Sequence, residues 1–317
     1  MTPAVQGIPV ARPWLGEEEA AAARRAILSG WVTQGPEVLA FEREFAQVVG
    51  APRACAVSSC TAALHVALSA LGIGPGDEVI TVSHSFIATA NAIRYCGAVP
   101  VFVDIDLATF NVDPARIDAA FSPRTRAIVC VHQLGMPCDL AAVLAVARQH
   151  GMSVPDTVRH AAVQVIAEEY RVVGYNYRMT DIQAAIGREQ LKRLPAMIAR
   201  RRELASRYGE LLSGVDGVIV PHEPAWARSN WQSYAVRLAP GLSQAAVMQT
   251  MLDAGVSTRR GVMNAHRERA YAQGPCRVSG DLRRSEQAQD TALILPLYHQ
   301  MTESDQDRVV AALRAAM

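Results

Sequence analysis

The stretch ACAVSSCTAALHVALSALGIGPGDEVITVS, residues 54–83, decides the fold. Its opening ACAVS (54–58) is an apolar run of strand length, and residues 61–71 carry apolar side chains at helical spacing. Gly74-Pro75-Gly76-Asp77 is a turn sequence, and EVITVS (78–83) is a second apolar run rich in β-branched residues. A helix between two such strands lets them lie parallel, because a parallel pair needs a long crossover. The rhythm continues outward. Strands are expected at 99–105 (VPVFVDI) and 126–131 (RAIVCV), with helices at 86–96 and 114–121. Strands that are apolar throughout, rather than alternating, are those buried on both faces. The expected fold class is therefore α/β, with a mostly parallel central sheet flanked by helices.

Two amphipathic helices, at 16–30 and 36–49, precede this alternation, and a helix over roughly 139–150 should feed one more strand. It does not. Met152-Ser153-Val154-Pro155-Asp156-Thr157 follows, a polar stretch whose central proline bars it from a sheet interior. From Thr180 the pattern turns helical and stays so to about 213. Short strands (217–220, 231–238) and helices (243–254, 303–316) complete the chain, with Thr302 and Asp305 forming a capping box. A large domain over 1–213 and a smaller C-terminal α+β domain over 214–317 are expected.

Half of the 317 residues are apolar, 19% are charged and the net charge is +1, so no nucleic-acid partner is implied. No apolar run reaches membrane-spanning length and MTPAVQGIPVARPW has no signal core, so no membrane association and a cytoplasmic location are expected. The six cysteines show no CxxC pair and mostly sit in apolar runs, as buried thiols in a reducing compartment do. No spacing of histidine, cysteine and carboxylate suggests a metal. Of the 31 basic residues, Lys192 is the sole lysine.

Ser58-Ser59-Cys60-Thr61-Ala62-Ala63-Leu64 lies between a strand and a helix. Free amides and the helix dipole there suit a phosphate, while the same residues also make an ordinary N-cap. Both readings stand on these residues alone.

SGWVTQGP (29–36), AVSSCTAALHVAL (56–68), GDEVITVSHSFIATANAI (76–93), PVFVDID (100–106), VHQLGMPCD (131–139) and GYNYRMTDIQAAIG (174–187) occur in that order. Together they resemble the DegT/DnrJ/StrS family of sugar aminotransferases, from about residue 8 to the C-terminus. The resemblance implies the type I aminotransferase fold. It also implies pyridoxal 5'-phosphate as cofactor and transfer of an amino group, usually from glutamate, to a nucleoside-diphosphate keto sugar, in polysaccharide or glycoside biosynthesis. By the same resemblance, Ser59, Cys60 and Thr61 hold the cofactor phosphate and Phe86 stacks on the pyridine ring. Asn176 reaches the phosphate of the neighbouring subunit, because family sites straddle a dimer interface. His132, Arg178 and His266 line the sugar pocket.

The family's two main chemical groups have no counterpart. Its enzymes carry an acid in a Val-Ile-Glu-Asp-Ala type motif, opposite the pyridinium nitrogen, and a lysine in a Ser-Phe-His-x-x-Lys type run that bonds the cofactor. Asp156 in Val154-Pro155-Asp156 stands one residue too early, which turns a strand side chain to the other face. Residues 149–187 match a later His-Gly stretch of the family better. The chain thus jumps from one such stretch to the next, omitting roughly sixty residues of an expected domain. Lys192 sits among Ile182, Ile186, Leu191 and Leu194 on an amphipathic helix beside Arg188, so a basic, solvated position is expected. No catalytic residue is assigned, and covalent attachment of the cofactor is not expected. Either the chain is an aminotransferase by descent that is inactive alone, or it serves as a non-catalytic dimer partner of an intact relative or as a nucleotide-sugar-binding protein. Exposed strand edges and reduced stability follow from the omission.

Overall fold

The computed structural model describes residues 7–150 and 176–317. Helix α1 (Glu17–Leu28) buries Ala22 and Ala26, one turn apart. Helix α2 (Pro36–Val49) opens with proline at its first turn and closes on Gly50 at φ 67°. Helix α3 (Cys60–Ala70) is capped by Ser59. Strand β1 (Glu78–Val82) is buried along its whole length, and α4 (Ala88–Tyr95) leads to β2 (Val99–Val103) and β3 (Thr125–Val129). Helix α5 is Leu140–His150, and α6 (Asp181–Leu212) is a single helix of 32 residues that runs through Pro195. Then come β4 (Val218–Ile219), β5 (Tyr234–Leu238), α7 (Gln244–Asp253), β6 (Arg259–Arg260) and α8 (Arg269–Ala272). The chain closes with β7 (Arg277–Val278), α9 (Arg283–Thr291), β8 (Ala292–Leu295) and α10 (Glu303–Ala315). The Thr302–Asp305 capping box starts α10 as expected.

Two four-stranded sheets result. The first has order β3-β1-β2-β7 and is parallel throughout, with Ile80 opposite Val101 on one side and Ile128 on the other. The second, β4-β5-β8-β6, is antiparallel. One apolar cluster gathers Tyr208, Tyr234, Leu293, Leu295 and Leu313 around the second sheet, and another gathers Ile80, Val101, Val103 and Ile117 around the first. Each such side chain contributes about 1.5–3 kcal/mol on burial.

Two sequence expectations fail, each for a physical reason. Residues 54–58 are not a ladder strand; their backbone makes one isolated antiparallel bridge, Val57 to Arg178. A strand needs neighbours to hold it, and among the described residues this run has only the Arg178 bridge. Residues 114–121 form two short 3₁₀ turns, 114–116 and 118–120, instead of a helix. Pro123 disfavours helical geometry at the residue before it, and β3 begins at Thr125, so too few residues remain for a stable helix.

Among the described residues the far side of β3 is open. Among the described residues β3 pairs only with β1, and beside it lies a groove of about 930 Å³ lined by Phe121, Ile128, Cys130, Leu140, Val143 and Leu144. Leu140 and Leu144 are 46% and 52% exposed. Asp156 lies outside the described residues.

Candidate functional site

The phosphate-loop candidates lie at the N-terminus of α3. Ser59 Oγ accepts the Ala62 N–H at 3.1 Å, so this hydroxyl is engaged as an N-cap. Cys60 is exposed and Thr61 partly so. Their first-turn amides belong to the set that helix geometry leaves without intrahelical partners. The 176–178 segment lies alongside: Ser58 N donates to Tyr177 O at 2.6 Å, and His65 Nδ1 and Tyr177 Oη are 3.2 Å apart. Asn176 is exposed and its Oδ1 accepts from Arg178 Nε at 3.2 Å. Ser59, Cys60, Thr61, Asn176 and Arg178 thus share one solvent-facing corner within a single chain.

A second group sits beyond the carboxyl end of β1. Ser83 Oγ lies 2.6 Å from His266 Nδ1 and accepts the His266 backbone N–H at 3.0 Å, while His266 Nε2 lies 3.2 Å from Glu286 Oε1. His84 Nδ1 meets Asn264 Oδ1 at 3.1 Å, and Gln133 Nε2 donates to His84 O at 2.6 Å. Burial pushes the His84 imidazole down to about 4, against a smaller opposing effect of the Asn264 hydrogen bond. His132 is exposed, and its Nδ1 accepts the Cys138 N–H at 2.9 Å. Phe86 is 69% exposed. His266, Ser83 and Glu286 therefore form a chain of hydrogen bonds from a sheet end to the surface, and the 132–133 turn meets it through His84.

Other residues escaped the sequence reading. Asp181, at 1% exposure, accepts from Gly35 N (2.7 Å), Val38 N (3.1 Å) and Glu37 N (3.2 Å), capping α2 from the start of α6. A Cβ at Gly35 would lie 2.6 Å from Asp181 Oδ2, so only glycine permits the approach. Asp104 accepts from Ser285 Oγ at 2.7 Å and from the Ser285 and Arg284 amides at 2.8 and 3.0 Å. Glu78 is held by Arg277, Arg124 and Ser122; burial alone would raise its carboxyl, yet these bonds bring it to about 2. The available signal was an acid at the end of an apolar strand, since buried charges are nearly always paired.

Lys192 Nζ pairs with Glu189 at 2.7 Å, with 62% of the lysine side chain exposed. Its surroundings differ from the basic patch expected: Arg188 bridges Glu37 and Glu44 at 2.7 and 2.6 Å, which neutralises it. The cysteines differ too. Cys55 and Cys60 are exposed and only Cys138 is buried, because the unpaired 54–58 run leaves its neighbours in solvent. The donors around α3 suit a phosphate, but no lysine amine stands near them to bond an aldehyde. The residues present do not fit covalently bound pyridoxal phosphate. Among the described residues, no group of three or more histidine, cysteine and acidic residues is placed to hold a metal, and no helix is long and apolar enough to cross a membrane.

Comparison with known proteins agrees with this architecture. The profile of the DegT/DnrJ/EryC1/StrS aminotransferase family matches in two pieces, residues 13–163 and 156–314. The chain is 34% identical to the spore coat polysaccharide biosynthesis protein SpsC of Bacillus subtilis (strain 168), over 374 aligned residues covering 97% of this chain and 96% of SpsC. That alignment is longer than the chain's own 317 residues, so SpsC carries sequence for which this chain has no counterpart. Among solved structures, the aminotransferase TlmJ from Streptoalloteichus hindustanus superposes with a TM-score of 0.86 at 33% identity, covering 98% of both chains. DesV from S. venezuelae, solved with a ketimine intermediate, superposes with a TM-score of 0.88 at 27% identity, again over 98% of both. With the parallel sheet, the order of motifs and an alignment over nearly its whole length in agreement, this chain belongs to the DegT/DnrJ/EryC1/StrS aminotransferase family.

Proposed function

We propose that this chain descends from an enzyme that aminated a nucleoside-diphosphate keto sugar, with glutamate as donor and pyridoxal phosphate as cofactor, and that alone it does not transaminate. One observation carries the reading: the sole amine side chain, Lys192, faces solvent on α6 in an ion pair with Glu189. Transamination requires an unprotonated amine beside the phosphate site, and arginine, always protonated, is no substitute. Ser59, Cys60 and Thr61 would retain weak, non-covalent affinity for the phosphate, and His132, Arg178 and His266 for the sugar moiety. Residues 1–213 and 214–317 would act as the cofactor-side and smaller lobes of a cytoplasmic protein.

The test is reductive trapping. The full chain is incubated with pyridoxal phosphate, reduced with borohydride and digested. No specific adduct on Lys192 and no amino transfer from glutamate are expected. Stoichiometric labelling of Lys192 together with turnover would refute the proposal. The open β3 edge favours a second reading, in which the chain pairs with an intact relative as a non-catalytic subunit and lends Asn176 across the interface. Co-expression with an intact family enzyme and sizing of the complex tests it.

A further inference from the structure

Cys130 and Cys138 flank the loop that carries His132, and the proposed function uses neither thiol. Cys130 follows β3, is partly exposed and, among the described residues, lines the groove beside that strand, where an oxidant in solvent can reach it. Cys138 is buried, packs in the same apolar cluster as Cys130, and donates its thiol to Val131 O at 3.0 Å. The loop between them turns back through Leu134 at φ 55° and Gly135 at φ 91°, which returns the chain to the end of β3. We propose that Cys130 and Cys138 are a redox-active thiol pair that reacts with small disulfide oxidants of the glutathione type, with Cys130 as the attacking sulfur.

The electrostatics agree with the geometry. The neighbouring Cys138 thiol pulls the Cys130 thiol down, with burial opposing, while Cys130 and burial push Cys138 up. A thiolate is the nucleophile in exchange. The Cys130 thiolate attacks one sulfur of glutathione disulfide, forming a mixed disulfide and expelling one glutathione thiolate. Cys138 gives its proton to that thiolate and attacks the Cys130 sulfur, expelling the second glutathione. Two protein thiols are oxidised and one glutathione disulfide is reduced to two thiols, so electrons and protons balance. Because Cys138 N–H holds His132 Nδ1, ring closure would also fix the loop that carries His132 and Gln133.

Mass spectrometry reads this directly. No lysine or arginine stands between Arg126 and Arg148, so the tryptic peptide 127–148 contains both cysteines. The native full chain is exposed to glutathione disulfide, quenched in acid, alkylated and digested. Peptide 127–148 is expected about 2 Da lighter, with neither cysteine alkylated. Cys130 is expected to react about tenfold faster than Cys276, whose thiol burial pushes up. In Cys138→Ser the same peptide should instead carry one glutathione, and in Cys130→Ser it should stay unmodified. The pair is refuted if the wild-type peptide is alkylated at both cysteines after the exposed Cys55 and Cys60 have reacted. A wild-type peptide that carries glutathione without ring closure refutes it equally, and neither outcome depends on a variant folding.

Discussion

Asp181 is the residue on which the helical layer turns. One carboxylate accepts three backbone N–H groups at the start of α2, including that of Gly35, more than a hundred residues away. Asp181→Ala would strand those donors in a buried place, and an unsatisfied buried donor costs roughly 1–3 kcal/mol. We predict a loss of about 2–4 kcal/mol in urea unfolding, with Asp181→Asn losing less because its carbonyl oxygen still accepts. A change within experimental error for the alanine variant would show that solvent satisfies the α2 amides. Acid sensitivity also has a residue-level origin. His84 is neutral in the fold down to about 4, whereas an unfolded chain protonates its histidines near 6.5. The unfolded state therefore binds more protons between these values, and stability falls as pH drops from 6.5 to 4. Glu78, held at about 2 against an ordinary 4.5, removes further stability below that window. Urea midpoints at pH 7, 5 and 3.5 should decline in that order, and His84→Gln should flatten the step between 7 and 5.

At the scale of elements, the open edge of β3 governs behaviour. Leu140 and Leu144 present apolar surface along a strand whose outer side has no described partner, the usual route to edge-to-edge association. Leu144→Glu is expected to lower light scattering at concentrations where the wild type associates. It should shift the thermal midpoint little, since substitutions at exposed positions change stability by roughly 0.5 kcal/mol. A large drop in midpoint would mean that Leu144 is covered. The elements also show what local sequence can reveal. β1, β2 and β3 were legible because each holds a short run dominated by apolar and β-branched residues, and α2 and α10 because Pro36, Gly50 and the Thr302–Asp305 pair mark their ends. Residues 54–58 read as a strand but are not one, since strand character is a property of neighbours and among the described residues only Arg178 bridges this run. The contacts that build the site were illegible for the same reason. Ser83 with His266, Asp104 with Ser285 and Asp181 with Gly35 are separated by 183, 181 and 146 residues, and no local pattern links them.

The whole molecule divides its packing unequally. The cluster around β5 and β8 joins α6, α7 and α10 and fully buries Tyr208, Val236, Leu293 and Leu313. Among the described residues the parallel sheet is flanked on one side by β7, two residues long, and ends on the other at β3, whose residues are partly buried or exposed. Local stability follows burial and pairing, so the two sheets should open with different free energies. Residue-resolved hydrogen exchange is expected to find the β5 and β8 amides exchanging only through global unfolding. The β3 amides should exchange through a smaller, local opening, faster by about one order of magnitude for each ~1.4 kcal/mol of difference. Thermal unfolding should accordingly be broader than a single cooperative transition allows, with near-ultraviolet signal from Tyr208 and Tyr234 surviving after the parallel sheet has opened. Equal protection of β3 and β5, or coincident transitions by every probe, would mean that an occupant closes the β3 edge.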